Sequence, residues 1–426
     1  MMKSQVSFFD GEPIQNDIIK TEKLSYNPVT TVDAPQIEFF IPSCPDAYRN
    51  LNNTYLRLLL TIPKVKKADN TEETGATVVN NIIASLFKTL NVYFNNTLVS
   101  SSENTYAYRA YLEKLLNYGK ESAETNLQAS GWFLDTGDFD QRNEDTNLGY
   151  KARLNMLTNN KKLEVYGKLS GDVFNLKKYL LNGVDIRVQL TKNNPAFYML
   201  GDGEELRSDV KIESAELFVE NCYVNPGLLL ANEKLLEKHR AVNYHMKRLI
   251  VRSFTLNKDV HTISINNAII GNLPSMIIFG MVKNDAFSGV RSLNPFNFQR
   301  FDLQNFQIIV NGRTYPIKPF EIKQDSNNEI YSRAYYNLFE SFNLDQTDAS
   351  HQITMKNFLK GCFLIPNDIS PDSSFGQIHS KNLEEGSIRI DLSFGKALPH
   401  TLTALLACEF DGQINVDNQR VVTVTY

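Results

Sequence analysis

The chain has 426 residues, and its 44 basic and 48 acidic residues leave a formal net charge of −4. This length exceeds one ordinary core and predicts two domains of about 200 residues each. The near balance of charge argues against a dedicated nucleic-acid-binding surface. No apolar run approaches the roughly 20 residues of a membrane span, and the first residues lack the apolar core of a signal peptide. We therefore expect a soluble, intracellular protein with no membrane span.

The four cysteines are scattered along the chain, and no two of them form a C-x-x-C pair. This spacing favours buried thiols in a reducing compartment over disulfides or metal ligands. The cysteines are Cys44, Cys222, Cys362 and Cys408.

The first elements are an arm and two strands. Residues 1–35 are polar and punctuated by prolines, and they predict an N-terminal arm that is ordered only by contact with something else. Apolar residues dominate segments 37–41 and 54–62, which predict the first two strands. Residues 64–75 are charged and predict a surface loop.

A hairpin followed by an aromatic helix occurs once in each half of the chain. In the first half, residues 90–94 and 97–99 flank the turn dipeptide Asn95-Asn96, and aromatic residues at helical spacing follow over 106–116. Asn residues readily take the positive φ angles that a two-residue hairpin turn needs. The aromatic stripes can close the end of a sandwich, which favours packing inside each half over packing against a neighbouring subunit.

The second copy of this unit spans residues 303–342. Asn311-Gly312 takes the place of Asn95-Asn96, and Arg333-Ala334-Tyr335 takes the place of Arg109-Ala110-Tyr111. Segment 386–394 also mirrors segment 184–190, with Ile-Arg on Ile-Arg. The recurrence of the unit predicts a duplicated domain.

Between and after the two units the pattern is again mostly β. Alternating or apolar segments predict strands at 163–169, 184–190, 211–219, 247–256, 262–265, 274–283, 386–394, 402–410 and 421–426. Residues 228–240 predict a helix that connects the two halves. The loop over 120–160 carries an acidic cluster without the spacing of a calcium loop, and a solvated surface loop is favoured. The cluster consists of Asp135, Asp138, Asp140, Glu144 and Asp145.

Each half thus holds about eight short strands separated by turns. Such spacing indicates an all-β fold of two tandem eight-stranded antiparallel jelly rolls with short helices. We predict an arm at 1–35, a first jelly roll at 36–225, a connecting helix at 226–245 and a second jelly roll at 246–426.

No constellation of residues predicts chemistry. There is no H-E-x-x-H, G-x-G-x-x-G, P-loop or G-x-S-x-G motif. Of the six histidines only two are close together, and their spacing of six does not place them on one helical face. We predict no catalytic residue, no cofactor-binding residue, no metal ligand and no cofactor. The histidines are His239, His245, His261, His351, His379 and His400.

Taken in order along residues 32–426, several short stretches resemble the major capsid (hexon-like) proteins of Polinton or Maverick elements and adintoviruses, in the double jelly-roll capsid lineage. The stretches that carry the resemblance are Asn53-Thr54-Tyr55-Leu56, residues 98–102, 104–106 and 108–111, residues 179–185, Asn284-Asp285-Ala286-Phe287, residues 294–298, residues 331–335 and Ala397-Leu398-Pro399.

The resemblance implies a structural protein and not an enzyme. Three chains of this lineage form a pseudo-hexagonal homotrimer that contacts neighbouring capsomers, penton and minor capsid proteins. Such trimers tile an icosahedral shell that encloses double-stranded DNA without sequence-specific contact. The expected location is the virion, with assembly inside the host cell.

Three other readings remain open. A two-domain β-sandwich binding module for carbohydrate or protein would favour exposed tryptophans and a secretion signal, but the chain has one Trp. A cupin-type enzyme needs clustered histidines on neighbouring strands, and these histidines fall mostly outside the predicted strands. A minor capsid or penton protein with a single jelly roll would not need an internal repeat.

Overall fold

The computed structural model describes residues 15–61, 76–156, 162–201, 209–238, 241–370 and 384–425. The first half is built of strands and short helices. Its strands are β1 (Ile18–Tyr26), β2 (Gln36–Ile41), β3 (Ala47–Thr61), β4 (Thr77–Val78), β5 (Phe87–Phe94), β6 (Thr97–Ser101), β7 (Lys162–Lys168), β8 (Ile186–Lys192), β9 (Met199–Leu200) and β10 (Lys211–Val224). Its helices are α1 (Ile82–Ser85), α2 (Tyr106–Asn117), α3 (Lys120–Ala123), α4 (Leu148–Met156), α5 (Pro195–Tyr198) and α6 (Pro226–Glu237), with 3-10 turns at Asn126–Ser130 and Asp172–Asn175.

The second half repeats this plan. Its strands are β11 (Val242–Leu256), β12 (Thr262–Asn272), β13 (Met276–Lys283), β14 (Phe298–Gln299), β15 (Leu303–Val310), β16 (Arg313–Glu321), β17 (Lys323–Gln324), β18 (Glu329–Ile330), β19 (Lys360–Gly361), β20 (Leu364–Asp368), β21 (Glu385–Phe394), β22 (Leu402–Val416) and β23 (Val422–Thr425). Its helices are α7 (Asn284–Ser288), α8 (Ser332–Glu340) and α9 (Met355–Phe358).

Each half contains two four-stranded antiparallel sheets of the same topology. The first half has the orders β1-β10-β3-β7 and β2-β8-β5-β6, and the second has β11-β22-β13-β20 and β12-β21-β15-β16, with β23 added beside β22. If the eight strands of these two sheets are numbered 1 to 8 along the chain in each half, the strand orders are 1-8-3-6 and 2-7-4-5 in both halves. This is the jelly-roll arrangement, and it occurs twice, as the sequence predicts.

Alternation of side chains places the core between the two sheets of each half. In β8 the side chains of Ile186, Val188 and Leu190 are buried, whereas those between them are only half-buried. In β21 the same period buries Ile388, Ile390 and, further along the strand, Leu392 and Phe394. A period of two is what a strand with one core-facing side requires.

The two predicted hairpin turns are confirmed, and their contacts show the duplication atom by atom. Positive φ angles occur at both central residues of each turn, 44° and 69° at Asn95-Asn96 and 48° and 81° at Asn311-Gly312. The side-chain oxygen of Asn95 accepts a 2.8 Å hydrogen bond from the backbone N–H of Asp185. Asn311 accepts the equivalent 2.9 Å bond from Ser387. The same side chain therefore ties the same turn to the same neighbouring strand in both halves.

The structure corrects the predicted N-terminal arm. Residues 18–26 form β1, which pairs antiparallel with β10 from Ile18 to Tyr26. β1 is the first strand of the first jelly roll, which therefore begins at Ile18 and not at residue 36. Six of its nine residues are exposed, so its sequence lacks the apolar alternation that would predict a strand. Residues 1–14 of the predicted arm lie outside the described residues.

The connection between the halves is shorter than predicted. Helix α6 ends at Glu237, and residues 242–245, which the prediction assigned to the connector, already belong to β11. Asn225 begins the helix, because its side chain accepts a hydrogen bond from the N–H of Gly227 and Pro226 occupies the first helical position.

Candidate functional site: the seam between the two jelly rolls

Helix α2 lies between the two jelly rolls and is almost completely enclosed. Ten of its twelve residues are buried. At its beginning the Thr105 hydroxyl donates to the carbonyl of Val251 in β11, over 3.4 Å. The sequence alone favours packing of this helix inside its own jelly roll over packing against a neighbouring subunit. The helix instead contacts both jelly rolls of its own chain, which makes it the centre of the seam.

An ion network around Arg109 joins the two rolls. Its Nη2 lies 2.6 Å from Oδ1 of Asp172, and both side chains are essentially inaccessible to solvent. Its Nε lies 3.0 Å from Glu113, and its Nη1 donates to the carbonyl of Leu249 in β11. The Leu249 N–H in turn donates to Asp172. Burial opposes the charge on Arg109, but Asp172 and Glu113 outweigh it and raise the pKa of Arg109.

Aromatic rings fill the seam beside this network. The ring of Tyr111 stacks on that of Phe296 at 4.2 Å between centroids, and the ring of Tyr108 stacks on that of Phe287 at 5.6 Å. The two tyrosines belong to α2, and the two phenylalanines belong to the second half. Pairs of this kind add to the free energy gained from burial alone. Helix α7, which holds Phe287, and the loop that holds Phe296 are therefore contact surfaces for α2.

The end of α2 is held by a residue from the other half. The side-chain nitrogen of Gln352 donates to the carbonyl of Lys114, and its oxygen accepts from the indole N–H of Trp132 at 2.7 Å. The Lys114 ammonium is itself buried, where it donates to Asn81 and Ser130. Burial lowers the pKa of Lys114 to about 7. The bond from Gln352 satisfies a carbonyl at the helix end that would otherwise be unpaired.

The acidic loop is part of the seam, so its prediction as a solvated surface loop is wrong for two members. Asp135 is buried and forms a 2.6 Å ion pair with Arg153, and it accepts a hydrogen bond from the side chain of Asn294. Asp140 pairs with Lys283 at 3.0 Å. Asn294 and Lys283 belong to the second half, and their contact with this loop is not encoded in local spacing. Asp138, Glu144 and Asp145 are exposed, as predicted.

Within the described residues, no group of three or more His, Cys, Asp or Glu side chains is placed to hold a metal ion. His239 and His379 lie outside the described residues. A surface pocket lined by Arg248, Arg252 and Phe410 has a volume of about 140 Å³, whereas small-molecule sites occupy roughly 300–1,000 Å³. None of the helices in the described part of the chain has both the length and the apolar character needed to cross a bilayer.

The cysteines are free thiols, and Cys222, Cys362 and Cys408 are buried as predicted, whereas Cys44 is half-buried. Burial raises the pKa of Cys408 to about 12 and raises that of Cys362 further. A thiol with a raised pKa is a poor nucleophile and a poor metal ligand.

His351, next to Gln352, is expected to make the protein less stable in acid. Burial lowers its pKa to about 4, and its Nδ1 accepts from the Ile353 N–H at 3.1 Å. Between pH 6.5 and 4 the unfolded chain binds a proton at His351 that the folded chain does not. The contribution of His351 to the free energy of unfolding is therefore fully present above pH 6.5, and it falls by up to about 3 kcal/mol as the pH drops to 4.

Urea unfolding at several pH values, on the wild type and on His351→Asn, measures this effect. The asparagine oxygen can still accept from Ile353 but does not titrate. Glu409 acts in the opposite direction, because burial raises its pKa to about 7, and its contribution cancels in the difference between the two proteins. A difference that stays constant between pH 6.5 and 4 would contradict the expectation.

No family model matches the chain. An uncharacterized protein of Caenorhabditis elegans is 25% identical over 403 residues, which cover 90% of this chain and 91% of that protein. Among solved structures, a chain of the Sputnik virophage superposes with a TM-score of 0.65 at 9% identity, over 100% of this chain and 92% of that chain. The capsid of the virus PBCV-1 gives 0.59 at 9% identity, over 99% and 100%.

The mavirus major capsid protein gives a TM-score of 0.51 at 11% identity, over 100% of this chain and 93% of that chain. These neighbours are double jelly-roll capsid proteins, and each is matched along nearly its whole length. At such low identity the likeness shows the fold alone. Together with the strand orders above, it shows that this chain has the double jelly-roll fold.

Proposed function

We propose that this chain is a structural major capsid protein and has no enzymatic role. Three chains would form a pseudo-hexagonal capsomer, and many capsomers would tile an icosahedral shell around double-stranded DNA. The double jelly-roll fold, and its likeness to capsid chains of the Sputnik virophage, PBCV-1 and mavirus, support this proposal.

The observation that carries the proposal is that one chain holds two units of the same topology in a fixed arrangement. Three such chains around a threefold axis present six jelly rolls, which give a threefold assembly a nearly sixfold outline. This outline is useful only if the two rolls keep a constant orientation. The hydrogen bonds of Arg109 and Asp172 to the backbone of Leu249 and the stacked Tyr111–Phe296 rings link the two rolls and support such an orientation.

The charge of the chain fits the same role. A net charge of −4 over 426 residues gives little mutual repulsion between densely packed copies. It also fits DNA that is enclosed without sequence-specific contact. In this proposal the partners are neighbouring capsomers, penton proteins and minor capsid proteins, and the chain is located in the virion after assembly inside the host cell.

The narrower assignment to a Polinton, Maverick or adintovirus capsid rests on the motifs named above. A relative in Caenorhabditis elegans matches along 91% of its length. This match supports the proposal that the gene belongs to an element integrated in an animal genome.

Sedimentation or light scattering of the purified chain tests the proposal. We expect a particle of about 145 kDa, three times the chain mass of 48.5 kDa, that persists on dilution. A protein that remains at 48.5 kDa under all conditions would contradict a capsomer.

A further inference from the structure

Two equivalent helices have very different surroundings in this chain. Helix α2 follows the hairpin of the first roll, and ten of its twelve residues are buried. Helix α8 follows the hairpin of the second roll, and only Ala334 and Leu338 of its nine residues are buried. The second roll covers α2, whereas no described residues cover α8 in the same way. The outer face of α8 is therefore the counterpart of a buried contact surface.

Two large apolar side chains are exposed on α8 and on the strand β16 beside it. Arg333 of this helix donates to the carbonyls of Lys318 and Pro319 in β16, so the helix and that strand form one surface. Ile317, next to Lys318, is 90% exposed, and Tyr336, one turn along the helix, is 49% exposed. We name this surface, with Arg333, the α8 face.

The strand that contacts α2 also has a counterpart without a partner. β11 is the edge strand of its sheet, and the carbonyls of Leu249 and Val251 in it accept hydrogen bonds from Arg109 and Thr105 of the first roll. The equivalent edge strand of the first roll is β1, which pairs only with β10 among the described residues. An uncovered edge strand is a site for association.

Most side chains of β1 are exposed, in keeping with its uncovered edge. Six of its nine residues are exposed, and Ile19 is 63% accessible. In contrast, Leu249 of β11 is half-buried and Val251 is buried, at the positions whose carbonyls accept from Arg109 and Thr105. Among the described residues, helix α8 thus lacks an edge strand of a further roll against it, and edge strand β1 lacks a helix of a further roll against it.

We propose that the α8 face of one chain binds the β1 edge of a second copy, in the manner in which α2 binds β11 within the chain. This contact is head-to-tail, so repeated contacts of this kind close into a ring when the rotation permits. The proposal rests on the trimeric capsomer proposed above and names the surfaces that would hold it together. Arg333 takes the place of Arg109: its Nη1 donates to its own roll, and its Nε and Nη2 would donate to carbonyls of the β1 edge.

Charge substitutions on the two surfaces test this contact. We expect Tyr336→Glu on α8 and Leu24→Glu on β1 each to convert particles of about 145 kDa into folded monomers of 48.5 kDa. Both side chains are exposed in the single chain, so circular dichroism of each variant should match the wild type. Leu148→Glu on α4, at a side chain that is 61% exposed, is the matched control and should leave the particle mass unchanged.

Cross-linking of the wild-type protein gives a second measurement that does not depend on any variant folding. Particles reassembled from mixed ¹⁴N and ¹⁵N chains are treated with an amine cross-linker and digested. We expect mixed-isotope links between Lys318 or Lys323, beside α8, and Lys20 or Lys23 of β1. Links of mixed isotope can form only between copies.

The outcomes separate the two proposals. If the wild type is a trimer, and both variants stay trimeric without these mixed-isotope links, the α8–β1 contact is wrong while the capsomer stands. If the wild type is a monomer under all conditions, both proposals fail. Monomeric variants together with the expected links support the contact.

Discussion

Arg109→Ala should lower the free energy of unfolding by about 3 to 5 kcal/mol, which is the usual effect of removing one partner from a buried ion pair. The substitution leaves the Asp172 carboxylate without solvent access, with the Leu249 N–H and the Ser100 hydroxyl as its remaining donors among the described residues. Such a charge is costly to keep in the seam. Urea unfolding at one fixed chain concentration measures the loss, because association also contributes to apparent stability.

Arg389→Ala is the matched control for this experiment. Arg389 pairs with Asp391 at 2.8 Å on β21, but its side chain is 49% exposed. Exposed pairs contribute about 1 kcal/mol or less, so this variant should unfold close to the wild type. Equal losses in the two variants would show that the Arg109 network does not hold the seam.

Tyr111→Ala is the second large expected effect. The ring of Tyr111 is buried, stacks on Phe296 and contacts Trp132, so its removal leaves a cavity between the two rolls. Loss of a buried aromatic ring costs about 3 to 5 kcal/mol. Because the cavity lies in the seam, we also expect calorimetry to separate the unfolding of the two rolls, which share one core in the wild type.

Tyr111→Phe is the control that keeps the ring. The Tyr111 hydroxyl is buried and has no hydrogen-bond partner among the described residues, so its removal should be neutral or slightly stabilising. A double-mutant cycle with Phe296→Ala should return a coupling of about 0.5 to 1.5 kcal/mol for the stacked pair. Strictly additive losses would mean that the two rings do not interact.

The parts of the fold that follow from the sequence are those encoded locally. Positive φ at Asn95 and Asn311 depends on the residue type, and the alternation in β8 is visible in its seven residues. These local signals were enough to predict two jelly rolls, because the same signals occur twice in the same order.

The seam could not be predicted, because it depends on pairs of residues from different halves. The aromatic stripe of α2 indicates a buried face, but nothing near Tyr111 in the chain identifies Phe296 as its partner. Asp135 lies among exposed acidic residues, and only the fold brings Asn294 to it. Edge strand β1 was missed for a related reason. Most of its side chains are exposed, so its identity as a strand rests on pairing with β10.

Images of the purified particle test the capsomer most directly. If the account is correct, class averages of negatively stained protein will show a threefold particle with six lobes of nearly equal size, two from each chain. Particles that show only two lobes, and therefore contain a single chain, at every protein concentration would contradict it.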